Sequence, residues 1–525
     1  MGSLFSDSAK SILIVSPPYR LNQTAFALGL MYIAAVLQKA GHHVEVIDMD
    51  AINLPMDDYV QELKERHYDY FCTGGMITAW NFIKFTCDLV KQIKPEAKVI
   101  VGGGIISSTP QSLISASSMD VGVIGEGEEA VLEVIDAFEN NRSLSAIEGI
   151  VYREYGQVIQ TKPRENMRNL DDIPFPAWDL FNVKDIYSRY PSHHSILKAQ
   201  RFGSIYTTRG CPFLCTFCYT EKAVRQHSIS RIIEELKELK GRYGIRHVMI
   251  ADDLFVVRKK RTIEFCEAMI KENMNMTWSC SGRCNIIDPE FLKICKSAGC
   301  EYMGLGIESG SEMVLKAIKK NQTPRQIVEA VKMVQAAGIT PGGTFILGLP
   351  PETKETVRET VEIYKKINQY RTHVNKFFYA TPYPGTELYD QMKAAGRIGD
   401  EIRYFEKISE RGDAVDFVFN CTDALTDEEL ISIKKEIEEE VFQDFMKKHP
   451  SLVVSQFILR HTPWGKIKNT IIMCKMKGIR EGALFIWKKL LAKLKLIPDP
   501  YARRWSKKTT YTYAQTLVEG RMVTF

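Results

Sequence analysis

From residue 11 to about 135 the chain alternates short apolar runs with longer segments whose apolar positions recur at helical spacing. Ile12–Val15, Val44–Ile47, Tyr70–Thr73, Lys98–Val101 and Val121–Ile124 read as strands, and Phe26–Lys39 and Ala79–Lys91 as helices, the first stopping at Gly41. Short continuous apolar strands between helices predict a parallel, doubly wound sheet. Ligands of such sheets lie beyond the carboxyl ends of the strands. Three of those ends carry glycine: Thr73-Gly74-Gly75, Gly102-Gly103-Gly104 and Gly125-Glu126-Gly127-Glu128. Without a Cβ the backbone can approach a ligand closely. One such loop is explained as a tight turn; three in one domain predict a binding site.

Residues 148–161 read as a hairpin turning at Tyr155-Gly156, and Asp171–Trp178, with Pro174 and Pro176, as an extended linker. A second β/α series follows, with six strand-like segments: Ser204–Thr208, His247–Ala251, Thr277–Ser281, Tyr302–Ile307, Thr340–Leu347 and Lys376–Thr381. Helical patterns Ile232–Lys240, Thr262–Lys271, Pro289–Ala298, Pro324–Ala337 and Glu355–Ile367 intervene. Six such units suit a partial, open version of the parallel barrel, whose chemistry sits at the strand C-terminal ends. The expected fold class is therefore α/β: a doubly wound domain (1–140), a hairpin and linker (141–199), a partial (β/α)6 barrel (200–415) and a mostly helical, basic region (416–525).

Composition adds limits. Hydrophobic residues make up 45% and charged residues 25% of the 525, as in soluble globular proteins. No run approaches the roughly 18–20 apolar residues of a membrane span, and the polar Met1–Lys10 is not a secretory signal. The 12 cysteines form no disulfide-like framework, which suits a reducing cytoplasm where close cysteines are metal or redox sites. Net charge is +5, yet Lys466–Lys508 alone carries +11, leaving the body near −6. Basicity confined to a tail argues against a nucleic-acid surface.

The chemistry concentrates in Tyr206-Thr-Thr-Arg-Gly-Cys211-Pro-Phe-Leu-Cys215-Thr-Phe-Cys218-Tyr219, directly after the first strand of the second series. Thiolates are the preferred ligands of iron–sulfur clusters. Three can hold three irons of a 4Fe–4S cluster and leave the fourth open to a chelating substrate. A zinc site would need a fourth ligand, and Tyr219, Thr220 and Glu221 supply no Cys or His. This loop resembles the signature of the radical S-adenosylmethionine (SAM) superfamily, and the similarity continues to about residue 390. It covers Phe217, Asp252-Asp253, Arg283, Gly304-Leu-Gly-Ile-Glu308-Ser309-Gly310, Gly343-Thr-Phe-Ile-Leu-Gly348-Leu-Pro-Pro-Glu352 and Tyr383-Pro-Gly-Thr386. The resemblance implies cluster ligation by Cys211, Cys215 and Cys218. It further implies SAM contacts from Phe217, Asp252, Asp253, Arg283, Glu308, Ser309, Gly348 and Glu352.

A doubly wound domain before such a barrel resembles the cobalamin-dependent branch of that superfamily. The matching stretches are Ile14-Val-Ser-Pro17-Pro18, Ala27-Leu-Gly29, Val101-Gly-Gly-Gly104 and Ile124-Gly-Glu126-Gly127-Glu128. Cobalamin contacts are then expected from Pro17, Thr73, Gly74, Gly102, Gly103, Gly104, Glu126, Gly127 and Glu128. Many cobalamin proteins place a cobalt-ligating histidine after the first strand, but Pro17–Gly29 contains none. His42 and His43 start the second strand, at the wrong end of the sheet, and read as solvated or capping. Cys72, Cys87, Cys280, Cys284, Cys295 and Cys300 read as buried thiols rather than a second cluster, which also disfavours the methylthiotransferases.

The resemblance implies reductive cleavage of SAM by a cluster that takes one electron from an external donor such as flavodoxin or ferredoxin. The first expected function is methylation of an unactivated carbon in a small molecule, lipid-like or tetrapyrrole. The alternative is oxidative cyclisation or rearrangement without methyl transfer, as in the anaerobic magnesium-protoporphyrin ester cyclases. A non-catalytic cluster protein would not need the adenosine-contacting motifs. Glu481–Lys495 places Leu484, Trp487, Leu491 and Leu494 at helical spacing with lysines opposite. It reads either as a helix packed on the barrel or as a peripheral contact with an anionic membrane.

Overall fold

The computed structural model describes residues 9–18, 26–49, 54–181, 201–367, 376–411 and 417–448. The basic segment Glu481–Lys495 lies outside these residues. The first sheet has seven strands in the order β2-β1-β3-β4-β5-β6-β7. They are β1 (Ser11–Ser16), β2 (His43–Asp48), β3 (Tyr70–Gly74), β4 (Lys98–Gly102), β5 (Val121–Val123), β6 (Ile150–Glu154) and β7 (Gln157–Gln160). Neighbours among β1–β5 pair in parallel, while β6 runs antiparallel to β5 and β7 to β6. The hairpin expected as part of a linking region therefore completes the first sheet. β1 and β3 are buried almost throughout, as strands covered on both faces must be.

The second sheet has six parallel strands in the order β8-β11-β12-β13-β14-β15. These are β8 (Phe202–Ile205), β11 (His247–Ile250), β12 (Thr277–Gly282), β13 (Cys300–Glu308), β14 (Thr340–Leu347) and β15 (Lys376–Tyr379). Between β8 and β11 lies a two-stranded ribbon, β9 (Thr208–Arg209) with β10 (Arg225–Gln226). β8 and β15 remain edges, so the barrel is open. Its helices start where the sequence supplies caps. The Asp288 carboxylate accepts from Phe291 N before Pro289–Ser297, and Thr323 and Gln326 form a capping box at Pro324–Ala336, each satisfying amides left free in a first turn.

One apolar cluster runs from one face of the first sheet (Ile12, Ile14, Cys72, Ile100) into the barrel (Phe202, Ile205, Val248) without a break. On the opposite face, Leu13, Val15 and Val101 share a cluster with Phe405, Ile408 and Phe417, which follow the barrel in sequence. The helix Glu401–Arg411 returns to the first domain, where Asn81 Nδ2 donates to Glu406 O (3.1 Å) and Ser409 Oγ to Thr78 O (3.1 Å). His42 Nδ1 accepts from Lys10 N at 3.4 Å, a capping role. Cys72, Cys87, Cys280, Cys284, Cys295 and Cys300 are all buried, as expected, and the barrel thiols fall into two places. Cys266 joins Cys280, Cys295 and Cys300, whereas Cys284 sits near Lys320, Arg283 and Glu308. No helix among the described residues is long and apolar enough to cross a membrane.

Candidate active site between the two sheets

The two sheets turn their carboxyl ends toward one cavity of about 1320 Å³, above the roughly 300–1,000 Å³ of ordinary small-ligand pockets. The first domain lines it with Thr73–Gly75, Gly102–Gly104 and Gly125–Glu128, and the barrel with Tyr206, Arg209, Phe217, Cys218, Asp253 and Tyr383. The three glycine loops thus face the cysteine loop.

The glycine loops are built for close approach. A Cβ on Gly74 would lie 2.6 Å from Gly102 O. Gly103 has φ +83°, and its Cβ would lie 3.0 Å from both Gly75 N and Gly75 O, so β3 and β4 end in backbone packed on backbone. From there the cavity reaches Cys72, Ile100 and Val123 of the sheet, with Ile33 and Val131 of the helices Leu28–Lys39 and Ala130–Glu139 also lining it. This apolar extension fits the flat base on the nucleotide tail of cobalamin. Pro17, expected as a cobalamin contact, is buried and does not line the cavity; Pro18 lines it instead. Thr73 Oγ1 donates to Val15 O (2.8 Å), fixing the β3 end.

Cys211 and Cys215 are partly buried and Cys218 is exposed. Among the described residues no group of three or more His, Cys, Asp or Glu side chains, the three cysteines included, is arranged so that it could hold a metal ion. The donor chemistry, three thiols on one loop with no fourth ligand beside them, suits a cluster that keeps one iron open. Arg283, at the end of β12, supports this loop: its guanidinium lies 3.8 Å from the Phe213 ring centroid, Nη1 is 3.7 Å from Cys215 Sγ, and Nη2 donates to Lys320 O.

The two aspartates after β11 divide their roles. Asp252 is buried and accepts from Thr207 N (2.6 Å), Thr208 N (3.0 Å) and the Thr207 hydroxyl, pinning the turn that leads to the cysteines. Burial lifts its carboxyl to about 6 despite those donors. Asp253 faces the cavity and accepts from the Gly210 amide; burial raises its carboxyl too. Phe217 lines the cavity as expected.

Glu308 ends β13 at a bulge, with φ +65°, a strained value for a residue with a Cβ. It is buried between Lys320 Nζ (2.8 Å) and Thr344 Oγ1 (3.0 Å). Ser309 shares hydrogen bonds with Thr360 and Ser311 N, and Glu352 accepts from Gly348 N at 2.5 Å. Asp252, Arg283, Glu308, Ser309, Gly348 and Glu352, expected as SAM contacts, do not line the large cavity; Arg283 and the Glu308–Lys320 pair lie behind the cysteine loop, whereas Ser309 bonds Thr360 and Gly348 packs beside Leu430.

Sequence reasoning missed Lys320, Arg225 and Tyr219. Lys320 is buried against Glu308 and lies 5.8 Å from the Phe217 ring centroid. Burial alone would lower its pKa, but the Glu308 carboxylate raises it overall. Nothing local separates Lys320 from the exposed Lys319 beside it. Arg209, although inside the quoted motif, carries a partner set that only the fold reveals.

Residues 205–364 match the radical SAM superfamily, and residues 20–135 match the B12 binding domain. An uncharacterized methyltransferase of Pyrococcus horikoshii is 34% identical over 72% of this chain and 82% of its own length. The anaerobic magnesium-protoporphyrin IX monomethyl ester cyclase of Cereibacter sphaeroides is 26% identical over 74% of this chain and 65% of its own. Among solved structures, the radical SAM methyltransferase TsrM of Kitasatospora setae, with cobalamin and a [4Fe-4S] cluster bound, superposes with TM-score 0.62 at 18% identity. That match covers 75% of this chain and 79% of TsrM, a likeness of fold. The chain therefore belongs to the cobalamin-dependent radical SAM family. Its cofactors are a 4Fe–4S cluster, SAM and cobalamin.

Proposed function

We propose that this protein methylates an unactivated carbon of a small, poorly water-soluble molecule. The observation that carries the reading is the single cavity in which the glycine loops face Phe217, Cys218 and Asp253. When bound, the cluster with SAM supplies a hydrogen-abstracting radical and cobalamin supplies a methyl group. The chain's own part is anchorage, orientation and exclusion of water. Cys211, Cys215 and Cys218 anchor the cluster. Asp252 fixes the turn that presents them, and Arg283 braces the loop from behind. Phe217 would flank the adenosyl group, and the Asp253 carboxylate would accept from the methionine ammonium of SAM; both line the cavity. Phe26, Ile33, Met76, Phe85, Tyr206 and Tyr383 give the cavity apolar walls, which suit a lipid-like or tetrapyrrole substrate. An external one-electron donor of the ferredoxin or flavodoxin type completes the cycle.

A second reading, oxidative cyclisation without methyl transfer, is favoured by the match to the Cereibacter cyclase. Anaerobic incubation of the reconstituted protein with reductant, SAM and a cell extract separates the two. A methylase yields both 5′-deoxyadenosine and S-adenosylhomocysteine; deoxyadenosine alone indicates the cyclase class. Neither product forming, or Cys218→Ala matching the unaltered protein, overturns both readings.

A further inference from the structure

Glu126 and Glu128 carry no free charge into the cavity, because both are bound by arginines of the barrel. Arg209 Nη1 donates to Glu126 Oε1 at 2.5 Å, and its Nη2 bonds Glu128. Arg225 Nη1 donates to Glu126 Oε2 at 2.7 Å and to Met167 O at 2.9 Å, while Met167 N donates to the same Glu126 oxygen at 2.9 Å. The four side chains are between 7% and 18% exposed. Arg209 and Arg225 are direct cross-strand partners in the β9–β10 ribbon. Like charges placed opposite each other destabilise a ladder, so the ribbon is satisfied only with the Glu126 carboxylate bridging the two guanidiniums.

From Glu126 two connections converge on Cys211. Arg209 is joined to it through Gly210, whose φ is +90° and whose Cβ position lies 2.5 Å from Ala223 O, so the link packs directly on the backbone before β10. Arg225 Nη2 donates to Glu221 Oε2 at 2.6 Å, and the Glu221 carbonyl accepts from Cys211 N at 2.7 Å. The loop between Gly125 and Glu128, which lines the first domain's side of the cavity, is thus tied by charge-assisted bonds to the first cluster ligand.

We propose that Arg209 and Arg225, held by Glu126 and Glu128, are positioning residues that couple cobalamin occupancy of the first domain to the cysteine loop of the second. Whatever orders one loop orders the other, so each cofactor binds more tightly when the other is in place; by linkage the effect is reciprocal. Glu126 and Glu128 act through this bridge rather than as cobalamin contacts. A single domain-to-domain ion pair would serve only stability; a carboxylate shared by two cross-strand arginines, both leading to Cys211, transmits position.

The test is titration of hydroxocobalamin into the full chain, followed by its visible absorbance, once without iron–sulfur reconstitution and once after it. The cluster should tighten binding about tenfold, within the usual range of coupling between sites. In Glu126→Gln and in Arg209→Gln the two affinities should converge, with the cluster-free affinity close to that of the unaltered protein. Arg209→Lys, which keeps the charge but cannot bridge two carboxylates, should give an intermediate ratio. Should the Glu126 variant not fold, Glu128→Gln and Arg209→Lys read the same quantity. Equal affinities in the unaltered protein overturn the proposal. So does a variant that loses affinity equally in both forms while keeping the ratio, which would make the glutamates cofactor contacts. Absence of hydroxocobalamin binding in either form removes the cofactor assignment itself, and the proposal with it.

Discussion

Buried charge at single residues carries much of this site. Glu308 and Lys320 are each only 7% exposed and pair at 2.8 Å behind the cysteine loop. Removing one partner leaves the other charged in a dry interior, which costs about 3–5 kcal/mol. Lys320→Met should therefore lower unfolding free energy by about that amount in guanidinium titrations, and adding Glu308→Gln should recover part of it. A single variant as stable as the unaltered protein would show that the pair is solvated. Glu352 is the opposite case, a buried carboxyl with no cationic neighbour among the described residues. Its Oε1 has no partner among them, and burial pushes it up to about 8. A carboxyl raised in the folded state holds its proton between its unfolded value near 4.5 and about 8, so the native form binds more protons and stability falls as pH rises through that window. Glu352→Gln should flatten this decline, its urea midpoint exceeding that of the unaltered chain more at pH 9 than at pH 6. A difference independent of pH would place an ionised carboxylate there instead.

At the scale of elements, the apolar runs located every strand of both parallel sheets, because strands buried on both faces leave an unambiguous signature. The same rule could not say where the hairpin belongs: β6 and β7 read as a hairpin from their turn residues, but their pairing with β5 is a long-range choice. The helices Glu312–Ala317 and Glu387–Ala394 are too short to repeat an apolar period and passed unread. The three glycine loops were readable as one binding edge from their place at strand ends; Gly74 and Gly103 are required by close backbone approach, and Gly125 by its φ of +79°. Their packing gives an element-level prediction. Gly103→Ala forces a Cβ into the Gly75 backbone at an unfavourable φ, so the mutant should retain markedly less hydroxocobalamin after desalting. Gly241→Ala, whose Cβ meets nothing within 4 Å in the helix Ile229–Arg242 and which does not line the cavity, should retain as much as the unaltered chain and gain up to about 1 kcal/mol in stability. Equal retention by the two variants would remove the glycine loop from the cofactor site.

For the whole molecule, the motifs named the two halves of the site but not the way they meet. Arg209 and Arg225 became functional candidates only once the fold set β9 and β10 against the loop at Gly125–Glu128, since residues some 80–100 positions apart leave no local trace; Tyr219 did so by packing beside Gly104 and Gly385 at the cavity wall. Lys320 stayed hidden for the same reason. The helix Glu401–Arg411, which closes the far side of the cavity over Thr78 and Asn81, is not among the helical patterns read from the sequence. What the sequence does state about the assembled site is an absence on one side of it. Pro17–Gly29, the stretch that follows β1, contains no histidine, and both His42 and His43 belong to the opposite end of β2, where His42 caps Lys10. His227, the described histidine nearest the cysteine loop in sequence, is buried with Asp171 at 3.1 Å from Nδ1, and burial lowers it to about 4. Among the described residues, no histidine lines the cavity beside the glycine loops. The paramagnetic resonance spectrum of bound cob(II)alamin should accordingly lack nitrogen superhyperfine splitting, with the cofactor's own base lodged toward Cys72, Ile100 and Val123 rather than on cobalt. Triplet splitting of the cobalt lines would place a nitrogen on the metal and refute this orientation of the cofactor.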